Sequence, residues 1–161
     1  MSQTTTPSPG TELDFEPLLK ELEQEEGYRD ILYDDKTGKK LKSGDTILGN
    51  PTVGIGWNVS GKSLSLDRAR IILSWFVLDA YQELVKALPW VTDHGSDVQL
   101  ALVDLCFNMG IDKLLTFKNT LSLIRQRKYK EAADALDKSL WAKQVGPTRS
   151  HNVEELIKHD G

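Results

Sequence analysis

A single cysteine in 161 residues has nothing to pair with. No internal disulfide can staple the chain, so the fold must come from packed apolar surface. Cys106 lies in the run Ala101-Leu102-Val103-Asp104-Leu105-Cys106-Phe107, where a small buried side chain is a plainer reading than a nucleophile. A free thiol also fits folding in a reducing compartment. His94, His151 and His159 have no ligand-like spacing, so no metal site is expected. The glycine-rich stretch lacks the lysine of a phosphate loop, and no cofactor is expected either. Long apolar runs are missing. The longest, Ile71 to Leu78, falls far short of the ~20 residues that cross a bilayer, so no stable membrane insertion is expected. The start, Met1 to Gly10, has neither the basic opening nor the apolar stretch of a secretion signal. Nor is there an excess of positive charge: 20 Lys and Arg against 24 Asp and Glu give a net charge of −4, which argues against nucleic acid as the main partner.

What is present is unevenly distributed. Residues 1–60 carry six Lys/Arg against eleven Asp/Glu, whereas residues 113–149 carry nine against three. The basic stretch suits an anionic polymer, although a solvated helix face accounts for most of these lysines equally well. Residues 1–12 are rich in Ser, Thr and Pro and read as a disordered tail. Phe15, Leu18, Leu19 and Leu22 then recur at helical spacing, with Glu26 on the same stripe and Gly27 as its stop. From Tyr28 to Val59 the texture changes to short strands and turns, predicting an antiparallel sheet of two or three strands. After Gly61 the chain is helical. Ser65 caps a long helix ending near Pro89, apolar on several faces as if buried. Ser96 or Asp97 caps the next, which closes at Gly110, and further helices are predicted over 112–127, 129–138 and 152–158. The class is α+β. Residues 13–64 form an N-terminal lobe with a short sheet, 65–90 a connecting helix and 91–161 a helical bundle lobe.

Three residues of the first lobe carry chemistry. Glu26 ends the first helix, Asp35 lies in the turn Asp34-Asp35-Lys36-Thr37-Gly38, and Thr52 opens Thr52-Val53-Gly54-Ile55-Gly56. Cleaving a glycosidic bond needs one carboxyl group to protonate the leaving oxygen and another to direct a nucleophile. A helix C-terminus carries partial negative charge, which suits a residue that must deliver a proton, and Glu26 is expected at the inner edge of its helix. Asp35 in a polar turn should stay ionised and orient water, with Thr52 as a neutral partner. Each has a plainer reading alone: helix end, turn former, β-former.

Taken together, Glu26-Gly27, Tyr33-x-Asp35 and Thr52-Val53-Gly54-Ile55-Gly56 resemble the phage-type lysozymes of glycoside hydrolase family 24. The likeness extends through Ala101 to Gly110, Phe117-x-Asn119-Thr120, Trp141 and Pro147-Thr148-Arg149. It implies a two-lobed, lysozyme-like endolysin acting on bacterial peptidoglycan at the β-1,4 bond between N-acetylmuramic acid and N-acetylglucosamine, with inversion. By position, Glu26 becomes the catalytic acid, Asp35 and Thr52 hold the attacking water, and Arg149 reaches toward the glutamate. Trp57, Asn58, Phe107, Asn108 and Trp141 are candidate sugar contacts, with core packing the alternative for the aromatic ones. Two departures stand out: an insertion of about eleven residues, Lys39 to Pro51, and Trp57 where the family often has histidine.

The rival functions are a lytic transglycosylase, which needs no water-holding aspartate, and a non-catalytic wall-binding or virion module. A monomer is expected. The missing signal suggests a product of the host cytoplasm that reaches the wall through a holin lesion, or one carried in a virion.

Overall fold

The structure, a computed structural model, describes residues 15–61 and 63–159. The expected tail at residues 1–12 lies outside them. Two compact units divide the chain, one ending at Leu64 and the other beginning at Ser65, and the α+β class holds.

The first unit opens with helix α1, Glu16–Glu26. Pro17 in its first turn needs no donated hydrogen bond there, and Gly27 closes it at φ +68°, a conformation that costs other residues strain. Strands β1 (Arg29–Asp34), β2 (Pro51–Gly54) and β3 (Trp57–Asn58) form one antiparallel sheet in the order β1-β2-β3. Tyr33 faces Thr52 and Asp34 faces Pro51; an irregularity follows before Arg29 meets Gly54. Across the second pair, Thr52 faces Asn58 and Val53 faces Trp57. Among the described residues here only Tyr33, Asp34 and Thr52 are buried, so polar anchoring supplements a thin apolar core. Arg29 stacks over the Tyr33 ring at 4.3 Å and donates to the Gly38 carbonyl at 3.0 Å. The contrast with expectation is α1 itself: it buries none of its residues, and Glu26 is exposed rather than at an inner edge.

The second unit is helical: α2 (Leu66–Ala87), a 3-10 turn (Pro89–Asp93), α3 (Ser96–Met109), α4 (Ile111–Leu114), α5 (Lys118–Arg125), α6 (Tyr129–Asp137), α7 (Leu140–Val145) and α8 (Pro147–Lys158). Its core gathers around α3, which buries Val98, Ala101, Leu102, Val103, Leu105 and Cys106 and packs on α2, α4 and α8. Ser65 caps α2 as predicted, accepting from the Arg68 N–H. Only Ala80 and Leu84 of α2 are buried, however, and Trp75 in its first half is 63% exposed. Within its own unit α2 packs on α3, α4 and the 3-10 turn, and it does not show the many-sided burial expected of it. Gly95, not Ser96 or Asp97, occupies the cap of α3, with no side-chain cap bond. The helix predicted over 112–127 is two helices. Thr116 Oγ1 donates to the Lys113 carbonyl at 2.7 Å, a local bond that competes with continued helix.

Candidate active site

Two polar anchors hold the long β1–β2 connection, and both start from adjacent aspartates. Asp34, only 2% exposed, accepts four backbone N–H groups. Lys36 and Thr37 donate to Oδ1 at 3.0 and 3.1 Å, Leu48 and Gly49 to Oδ2 at 2.6 and 3.2 Å. Burial alone would push its carboxyl group up, but those donors, Leu48 first, outweigh it and hold the group below the usual carboxylate range. Asp34 is thus a structural ion that pins the turn before the inserted loop to the loop's far end.

Asp35 is exposed and gripped chiefly by Asn50, with a weaker backbone bond from Lys36. The Asn50 backbone N–H donates to Oδ1 at 2.6 Å and its side-chain amide donates to Oδ2 at 2.9 Å. These bonds, the backbone one larger, lower its pKa, so the carboxylate stays charged across the neutral range. The Asp35 N–H in turn donates to the Asn50 carbonyl at 3.0 Å. Thr52, 3% exposed on β2, directs its hydroxyl to that same carbonyl at 3.3 Å. Asp35 and Thr52 are therefore brought together through Asn50, a residue that the sequence shows only as part of the Lys39 to Pro51 insertion.

Glu26 meets the other end of the hairpin. Gly56, in the β2–β3 turn at φ +63°, approaches the glutamate so closely that a Cβ there would lie 2.5 Å from Oε2. Glu26, Gly56, Ile55, Leu19 and Leu22 line a groove of about 660 Å³ in this unit, within the usual volume range of ligand sites. Thr52 stands on the strand between the two anchor points, two residues after Asn50 and four before Gly56.

The family model for phage lysozyme matches residues 23–158. The chain belongs to the phage lysozyme family. Two proteins of Dictyostelium discoideum are similar over shorter stretches. Probable T4-type lysozyme 1 is 38% identical over 60 residues, 37% of this chain and 35% of that protein. Probable T4-type lysozyme 2 is 40% identical over 63 residues, 39% of this chain and 36% of that protein. The aligned stretches thus span about a third of the length of these curated relatives.

In this lysozyme-family chain the remaining candidates fare unequally. Trp57 is half-buried on β3. Asn58 Oδ1 accepts from Ser60 N, Ser60 Oγ and Gly61 N, so its carbonyl shapes the following turn. Phe107 and Asn108 are exposed on α3. Trp141 requires correction: at 2% exposure it is core, with no ring face for a sugar, and its indole N–H donates to Asn108 Oδ1 at 2.7 Å. Arg149 on α8 ion-pairs with Asp104 on α3. Cys106 is buried, and burial first, then nearby Glu83, pushes its thiol up and makes it a poor nucleophile. Among the described residues no helix is long and apolar enough to cross a membrane, and no three metal-ligating side chains converge.

Proposed function

We propose that this chain is a peptidoglycan hydrolase of the muramidase type, working as a monomer on bacterial wall and not on nucleic acid. Glu26 protonates the glycosidic oxygen between N-acetylmuramic acid and N-acetylglucosamine. A water held by Asp35 and Thr52 attacks the anomeric carbon from the opposite face, and its released proton passes to Asp35. One sugar leaves with the Glu26 proton, the other gains the hydroxyl, and the anomeric configuration inverts. The carrying observation is the shared anchor: Asp35, kept ionised, and the Thr52 hydroxyl both bond Asn50. Family membership supports the substrate class. The proposed setting is the host wall, reached after release from the cytoplasm through a holin lesion or from a virion.

The test is digestion of purified peptidoglycan by wild type and Glu26→Gln, with products read by mass spectrometry. Wild type should yield reducing ends, and Glu26→Gln should fold normally yet lose about a hundredfold to ten-thousandfold in rate. Solely anhydro products would point to a lytic transglycosylase instead. Full activity in Glu26→Gln would remove the assigned acid.

A further inference from the structure

Asn50 lies near the end of the inserted loop, and three of its four polar groups serve the proposed water site. The backbone N–H and the side-chain amide clamp the two Asp35 oxygens at 2.6 and 2.9 Å, and the carbonyl receives the Thr52 hydroxyl at 3.3 Å. We propose that Asn50 is the positioning residue that makes Asp35 and Thr52 a single water-orienting pair. The inference rests on the muramidase reading.

The physical consequence concerns polarity. A threonine hydroxyl either donates to or accepts from a water. With its proton committed to the Asn50 carbonyl, Thr52 Oγ1 presents only lone pairs. Asn50 takes one lone pair of each Asp35 oxygen and the Lys36 N–H adds a weaker bond, which leaves a lone pair for the water. A water between them must give one hydrogen to each, and its own lone pair then faces away, as attack on an anomeric carbon requires. Free rotation of either group would let water bind in unproductive orientations. The neighbouring residues support this placement. Asp34 holds Leu48 and Gly49 by their N–H groups, and a Cβ at position 49 would collide with Asp35 Oδ1. Only glycine at 49 lets the loop come close enough for Asn50 to reach.

Asn50→Ala removes the carboxamide and keeps the backbone groups; Asn50→Asp keeps the shape and loses the donor. For both, kcat on peptidoglycan should fall on the order of tenfold to a hundredfold with KM within about twofold. The acid limb of the pH–kcat profile should move to higher pH, because Asp35 loses a bond that favours its charged form. The shift should be larger for Asn50→Asp. If Asn50→Ala does not fold, the isosteric Asn50→Asp carries the same reading. Wild-type kcat and an unmoved acid limb in folded variants would overturn the proposal, as would a lower kcat that tracks lost stability with the limb unmoved. Should those variants behave as wild type while Glu26→Gln is dead, only the Asn50 role fails. A wild type that releases no reducing ends overturns the muramidase reading and this role with it.

Discussion

Gly56 touches the side chain of Glu26: a Cβ on the glycine would sit 2.5 Å from Oε2 and 2.8 Å from Cδ. The turn between β2 and β3 is thereby the surface against which the proposed acid rests. Gly56→Ala combines that collision with a left-handed backbone at φ +63°. We expect loss of about 1–2 kcal/mol from the backbone alone and at least a tenfold fall in activity from the displaced carboxylate. Gly44→Ala separates the two effects, since Gly44 has φ +86° and nothing within 4 Å. It should lower the melting temperature comparably and keep full activity per folded molecule.

Asp34 predicts how acid acts on the loop. Its four backbone donors hold its folded pKa below the ordinary value despite burial. Its contribution to stability is therefore present above the usual aspartate range and is lost as pH falls through the lowered folded value. Asp34→Asn should loosen residues 35–50 at neutral pH. Tryptic cleavage at Lys39, Lys40 and Lys42 should accelerate roughly tenfold or more, as expected for local opening without global unfolding.

The Trp141–Asn108 bond is asymmetric. The indole is buried and the amide is exposed, so removing the acceptor strands a buried donor. Asn108→Ala should cost about 1–3 kcal/mol in denaturant unfolding. Asn108→Asp, which retains an oxygen acceptor, should cost far less. Equal losses in the two variants would mean that the indole N–H does not need this partner.

Glu154 on α8 carries the opposite pH signature. It is 8% exposed, and its buried Oε1 has no hydrogen-bond partner. Burial first, then the nearby Asp137 charge, raises its pKa, while Lys158 and His151 pull the other way. Its stability contribution is full below the ordinary glutamate range and is lost as pH rises through the raised folded value. Glu154→Leu should therefore be more stable than wild type at pH 7, by about 1–3 kcal/mol. The advantage should shrink steadily as pH falls, which thermal melts across pH would show.

The local parts of this structure were legible because their causes are local. Gly27 stops α1 through its own φ, Ser65 caps α2 three residues ahead, and Thr116 breaks the helix by bonding a carbonyl three residues back. The last cause is local too, yet the spacing over 112–127 runs through it as a single helix. The short helix α7 was missed although Ser139 caps it, its Oγ accepting from Ala142 N; six residues are too few for periodicity to register. Glu26, Asp35 and Thr52 stand out in the sequence as residue types in a pattern. The partner that links Asp35 and Thr52 does not, because Asn50 reaches Asp35 across 15 residues; the Trp141–Asn108 bond, across 33, is hidden for the same reason. Val153-Glu154-Glu155 looks like a solvated pair on a helix, and only tertiary packing decides which acid is enclosed.

The enclosed thiol of Cys106 has a practical use. It is the chain's sole cysteine, and it is buried in the last turn of α3. A thiol reagent in slight excess can react there only when the bundle breathes open. Labelling kinetics would thus report the opening of that unit alone, with no engineered probe and no signal from the sheet that carries Asp35 and Thr52.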